Sequence, residues 1–210
     1  MTKTRKILLS LAAVGAAAGI AGLGTFATFT DSDSATHTIS TGTVNINLGA
    51  ANTADNRLTV GATGLVPGDS LQRRAKLTNA GSESLASVTL TTAATTSSLL
   101  DTNSTDGLQM KIERCTGALG WRESLTAPYT YTCDAVLAGD NAGVRSAVLA
   151  RRAVIGSNLA LTGMTSVSPG ATDDMVVTVD LPSTADNTFQ GLTSTIQYTF
   201  NATQRAATSK

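Results

Sequence analysis

Short stretches in which every second residue is apolar recur along this chain, and most are closed by a turn signal. Val44, Ile46 and Leu48 form one; Leu108, Met110 and Ile112 another. Met175, Val177, Val179 and Leu181 form a third, and Ile196, Tyr198 and Phe200 a fourth. Side chains alternate across a strand, so each stretch buries one face and wets the other. Pro67-Gly68 and Pro169-Gly170 mark tight turns, because Pro presets φ and Gly accepts a positive φ. Residues 79–82 (Asn-Ala-Gly-Ser) mark another. Further strands are expected over residues 58–60, 71–78, 85–91 and 129–133. Pro182 closes the run before it, since it cannot donate to a ladder. Roughly eight short strands with frequent turns describe an all-β, antiparallel β-sandwich rather than a βαβ protein. Abundant Thr and Val agree, because β-branched side chains suit a pleated surface. Residues 144–155, held between Gly143 and Gly156, are ambiguous and allow one short helix in the middle region.

The N-terminus reads as an export signal. Lys3, Arg5 and Lys6 precede an uncharged run that reaches Thr30, with an apolar body over residues 7–23. Thr25 and Ala27 place small residues at the −3 and −1 positions of a cut between Ala27 and Thr28. The alternative is an uncleaved membrane anchor, which the length of the run permits. Its glycines and alanines weaken that reading. The domains expected are therefore a signal peptide over 1–27 and a single domain over 28–210, opening with an extended segment over 28–40. Contact with a membrane is expected only through the uncleaved leader.

Composition excludes several functions. Fifteen basic residues balance fifteen acidic ones, and the leader holds three of the basic residues, so the remainder is mildly acidic without a basic stripe. Aromatic residues make up 4%, which offers bases no stacking platform, and no nucleic-acid partner is expected. His37 is the only histidine, so no two-histidine metal site can be assembled, and without a Gly-x-Ser-x-Gly nucleophile elbow no Ser/His/Asp set is expected. No enzyme activity, metal or other cofactor is expected. Asp173-Asp174 is the one paired carboxylate, read as a solvated strand entry whose side chains point to opposite faces. Residues 101–113 only approximate a calcium loop, with one residue too many before Gly107. Asn103 and Asn201 open short glycosylation patterns, and Arg73-Arg74 and Arg151-Arg152 read as solvated surface. Cys115 and Cys133 are the only cysteines; in an exported chain they read as one disulfide worth about 3 kcal/mol, with a pair of free thiols as the alternative.

Three blocks carry a resemblance. They are GLGTFATFTDS followed by ISTGTVNINL near the N-terminus, LVPGDSLQRRAKLTNAGS over 65–82, and VSPGATDDMVVTVDLPSTADNTFQGLTSTIQYTFNATQ over 167–204. Together they resemble the TasA/camelysin family of bacterial exported proteins; the region 92–162 carries less of the likeness. The resemblance implies a jelly-roll sandwich, secretion to the cell surface or biofilm matrix, and head-to-tail polymerisation of the chain with itself. In that assembly the N-terminal segment would be donated as a strand to the next subunit, a form of β-augmentation. The donor here would include Thr28, Phe29, Thr30 and Ile39, released by the cut after Ala27. Other matrix or cell-wall components are compatible partners, although no residue pattern singles one out. The family name also carries a metalloendopeptidase label, and a monomeric surface adhesin is a third reading of the same sandwich.

Overall fold

The computed structural model describes residues 43–58, 64–116, 120–134 and 143–207, all within the unit Thr41–Lys210. Its strands are β1 (Ile46–Leu48), β2 (Ser70–Asn79), β3 (Leu85–Thr96), β4 (Gln109–Cys115), β5 (Gly120–Glu123) and β6 (Tyr131–Asp134). They continue with β7 (Arg145–Ala153), β8 (Gly156–Ala160), β9 (Thr172–Asp180) and β10 (Thr195–Gln204). A single-turn helix, α1 (Leu99–Thr102), follows β3, and a 3₁₀ turn spans Asn187–Phe189. The chain is all-β, as the period-two pattern requires.

Two sheets form the sandwich: five strands in the order β1-β2-β9-β4-β7, and three in the order β10-β3-β8. Every described pairing is antiparallel. The inward faces meet in one core containing Leu77, Val88, Leu90, Met110, Ile112, Val148, Met175 and Val177. These are the alternating positions of β2, β3, β4, β7 and β9. A second cluster, Trp121, Tyr131, Cys133 and Val176, lies on the outer face of the five-stranded sheet, where the β5–β6 hairpin covers β9. A third, Leu181, Ala185 and Phe189, closes one end beneath the 3₁₀ turn.

The path of the chain is that of a jelly roll. Successive strands β2, β3, β4, then β7, β8, β9 and β10 change sheets at every step except β4 to β7, which are neighbours. The β5–β6 hairpin is an insertion in that one step. An eight-stranded roll divides into two sheets of four. Here β2-β9-β4-β7 is one complete set, with β1 added outside β2, whereas the described residues supply three strands to the other sheet, with β10 and β8 at its edges.

The turns follow their sequence signals. Gly68 and Gly170 have φ of 96° and 73°, the positive values their Pro-Gly turns call for. Gly81 is needed for another reason: a Cβ there would collide with the Thr43 carbonyl oxygen, which accepts from the Ser82 N–H at 3.0 Å. Asn79, wholly buried, organises that turn by accepting from the Gly81 N–H and donating to the Glu83 carbonyl, both at 3.0 Å.

One expectation is corrected. The helix allowed over 144–155 is instead β7 and the start of β8. Its apolar residues look aperiodic because β7 meets β4 through two register shifts, between Met110 and Ile112 and between Ile112 and Glu113. β3 runs on through residues 92–96, for 12 residues in all. Past the end of β10, Arg205 donates its backbone N–H to the Ser84 carbonyl at 3.1 Å and pairs with Glu83 at 2.6 Å. Part of the expected 58–60 strand and the whole of 1–42 lie outside the described residues.

Leu90 sits at the closed centre of the sandwich, while Phe200 on β10 is only half-buried. Leu90→Ala is expected to cost about 2–5 kcal/mol in urea unfolding, and Phe200→Ala distinctly less. Equal losses would mean that the β10 side is closed as tightly as the centre.

Candidate functional site

β10 is ten residues long, TIQYTFNATQ, and carries no charge. On one side it pairs with β3 in near-perfect register from Ile196↔Ala94 to Thr203↔Ser87. On its other side, among the described residues, no strand pairs with it. Ile196, Tyr198, Phe200 and Ala202 point inward, opposite Thr92, Leu90 and Val88 of β3, but remain only half-buried. The same partial burial marks Ile46 and Leu48 on β1 and Leu71 on β2. Leu108, Leu149, Ile155, Met164 and Val167 are also partly buried against the core, so incomplete burial marks the β10 side without being confined to it.

Among the described residues, the other three edges of the two sandwich sheets are unsuited to taking up a strand. β1 has three residues. β7 carries Arg145, Arg151 and Arg152, and its Val148 carbonyl is already used by the Thr162 N–H and hydroxyl at 3.0 and 3.2 Å. β8 is five residues long, and Asn158 breaks it with a φ of 50°. Short length, charge and irregular backbone are the means by which sheet edges avoid pairing. β10 uses none of them. A long, regular, uncharged edge above half-covered apolar side chains can accept a further strand.

Cys115 and Cys133 are bonded, with an S–S distance of 1.99 Å, and tie the end of β4 to β6. The bridge anchors the hairpin on the outer face of the sheet, where Trp121 Nε1–H donates to the Asp174 carbonyl at 3.1 Å. Arg57 braces its other side: it pairs with Glu123 at 2.7 Å and lies 4.4 Å from the Tyr129 ring centroid. Tyr131 donates to the same Glu123 carboxylate at 2.8 Å. The bond from Arg57 holds the Glu123 carboxyl below its usual range, while burial and then that carboxylate push the Tyr131 hydroxyl up to about 12.

A shallow polar recess beside the hairpin is lined by Arg74, Lys76, Arg114, Asp173 and Asp174 among others. Its charges are matched internally: Arg74 with Asp174, Arg114 with Asp173 at 3.4 Å, and Lys76 with Asp55 at 2.8 Å. The paired aspartates point to opposite faces as expected, yet neither is a solvated strand entry. Asp173 is 2% exposed and accepts from the N–H groups of Thr165 and Ser166 at 2.7 and 2.6 Å. Burial alone would raise its carboxyl; those bonds and the Thr165 hydroxyl outweigh it and hold the carboxyl low.

The calcium-like stretch does not converge on a point. Asp101 caps α1, accepting from Ser97, Ser98 and Ser194; Asp106 accepts from Thr184; Glu113 pairs with Lys111. Among the described residues no three His, Cys, Asp or Glu side chains gather to hold a metal. Arg73, read with Arg74 as surface, is buried at 7% exposure on the inward face of β2. Its position in phase with Leu71, Ala75 and Leu77 was the available signal. Ala27, Thr28, Phe29, Thr30, His37 and Ile39 lie outside the described residues.

The model of a known protein family, described as camelysin metallo-endopeptidase, matches residues 3–209. No curated protein matches the chain.

Two outcomes follow from the bonds just described. Replacing both cysteines by Ser is expected to lower stability by about 3 kcal/mol, read as a shift in the urea midpoint that reductant reproduces in the parent chain. A depressed carboxyl contributes stability above the ordinary carboxylate range and loses it as pH falls through the lowered value. Thermal melts should therefore drop below about pH 4, and Asp173→Asn should lower the neutral-pH melting temperature while making the acid limb shallower. An unchanged acid limb would remove Asp173 from that role.

Proposed function

The chain belongs to the camelysin metallo-endopeptidase family, and from that premise we propose that it is a secreted structural subunit that assembles into extracellular fibres by N-terminal strand donation. The observation that carries this reading is the β10 edge, long, uncharged and, among the described residues, paired with a strand on one side alone. Residues 28–40, freed by a cut between Ala27 and Thr28, are the proposed donor, and β10 of the next copy the acceptor. An added strand would satisfy the outer N–H and C=O groups of β10 and cover Ile196, Tyr198 and Phe200. Donor and acceptor are different surfaces of one subunit, so the contact is head-to-tail and does not close on itself; repetition yields a filament. Cleavage of the leader then controls assembly as well as release. The cell surface or matrix is the location this reading assigns.

A second reading, a secreted endopeptidase, is favoured by the family description itself. The described residues do not fit its implied metal: their carboxylates are scattered and committed to arginines, hydroxyls and backbone N–H groups, and the one histidine lies at position 37.

Mature protein beginning at Thr28 should form filaments visible by electron microscopy, and deletion of residues 28–40 should leave folded monomers. Phe200→Ala should impair filament growth far more than it lowers monomer stability. Persistent monomers of the intact mature chain across pH and concentration would instead favour a monomeric adhesin. Stoichiometric zinc with chelator-sensitive cleavage of casein would establish the peptidase.

A further inference from the structure

The three-stranded sheet contains no acidic or basic residue: β3 reads LASVTLTTAATT, β8 GSNLA and β10 TIQYTFNATQ. Pairing sets its outward side chains in cross-strand rows, Ser87 beside Thr203, Thr89 beside Asn201, Thr91 beside Thr199 and Ala93 beside Gln197. Ala160 of β8 extends the Thr89 row. Thr89 and Thr91 are half-buried and the other members of these rows are exposed. The Thr91 hydroxyl accepts from the Asn158 N–H at 3.1 Å. The side chains of Ser87, Thr89, Gln197, Thr199, Asn201 and Thr203 bond to no described residue. The outer face of the five-stranded sheet is built differently: Arg74, Lys76, Lys111, Glu113, Asp174 and Asp180 lie on it and are held in ion pairs.

Protein surfaces ordinarily carry about a quarter to a third charged residues, and this face carries none. Its lack of charge narrows what it fits. An acidic polymer finds no cation here, and a basic one no carboxylate. A second copy of the chain is a poor occupant, because interfaces between copies centre on large apolar and aromatic side chains, and the apolar groups here are the methyls of Ala and Thr. What the face does offer is a regular array of hydroxyls and amides. Such groups both donate and accept, as the hydroxyls of a neutral sugar do, and the methyls between them suit the C–H faces of sugar rings. The ten residues of β10 give a track about 33 Å long. Each bond to a sugar replaces one to water and gains little, so the fitting ligand is a polymer that repeats the contact along the strands rather than a single sugar.

We propose that the outward face of β10, β3 and β8 is a binding surface for neutral polysaccharide, held through the rows of Thr, Ser, Asn and Gln side chains. The inference does not depend on strand donation. The edge of β10 points along the plane of the sheet and this surface stands perpendicular to it, so filling one leaves the other open. Binding through this face involves no ion pair, which separates it from adhesion by the charged sheet on the other side of the sandwich.

The test is depletion of the mature chain (28–210) from solution by microcrystalline cellulose, chitin or insoluble starch, at a spin speed that leaves the protein alone in the supernatant. At least one of the three should bind it, and raising the salt to about 1 M should not release it, because there is no ion pair to screen. Ser87→Glu/Ala93→Glu should bind at least about tenfold more weakly, since it sets unpaired carboxylates against the sugar. Leu125→Glu/Val144→Glu adds the same charge at exposed positions outside this face and should bind as the parent does. Circular dichroism establishes that each variant is folded. Should Ser87→Glu/Ala93→Glu not fold, Thr199→Ala/Asn201→Ala removes two side chains from the array without adding charge and should also weaken binding. Failure to bind any of the three polysaccharides, release by salt, or equal binding by the face variants and the parent would each overturn the proposal, whether or not the chain forms filaments.

Discussion

The two-sided burial of β9 is the constraint on which the described structure depends. Met175, Val177 and Val179 enter the sandwich, while Val176 between them packs under Trp121 on the opposite face. β9 is also hydrogen-bonded on both edges, to β2 and to β4. Its charged residues bind neighbouring elements: Asp173 holds the Thr165–Ser166 backbone, Asp174 takes Arg74, and Asp180 takes Arg151. A strand buried on both faces cannot move without exposing apolar surface somewhere, so it serves as the rigid reference for everything packed on it. The five-stranded sheet, its hairpin and the opposing sheet are organised around it.

Against that rigid centre, the asymmetry of the two sheets becomes consequential. A five-stranded layer offers more inward apolar surface than a three-stranded layer can cover. The shortfall appears as half-buried side chains on β1, β2 and β10 rather than as a disturbed centre. Proteins protect exposed edges with charge, brevity or irregular backbone, and β1, β7 and β8 do so here. Among the described residues, the β10 edge lacks such protection and borders half-buried side chains of the core. Backbone pairing and apolar burial would thus be gained at the same place by the same added strand, which is why the fibre reading accounts for both features together.

Much of this was legible in the sequence, and the exceptions have physical causes. β4 and β10 were readable from apolar residues alternating toward one partner layer, and β9, although buried on both faces, from Met175, Val177 and Val179 at the same spacing. β7 was not, because its two register shifts against β4 remove the regular alternation and leave Val148 and Leu149 adjacent. α1 was missed because one turn is too short to show an apolar period; its only signal was Ser98 followed by Asp101, a reciprocal cap. The outer cluster had a faint signal in the three successive apolar residues Met175, Val176 and Val177, since a strand wet on one face would not place Val176 there. The disulfide could be read from cysteine count and export. Arg73 was masked by its own chemistry: its phase pointed inward, but two adjacent arginines suggest a surface until the rest of the strand is placed.

The position of the disulfide loop bears on how assembly and surface display coexist. β5 and β6 sit on the outer face of the five-stranded sheet, under the control of the Cys115–Cys133 bridge and the Arg57–Glu123–Tyr131 contacts. β10 belongs to the layer on the inner face of that sheet. The sheet therefore separates the hairpin from the acceptor edge, and a strand added to β10 does not cover it. Leu125, fully exposed at the hairpin tip, remains on the subunit surface in either state. In a filament built this way the hairpins would recur once per subunit along the outside. Under the fibre reading, changes at the hairpin tip would alter what a filament presents without touching the contacts that build it, whereas changes on β10 would alter growth itself.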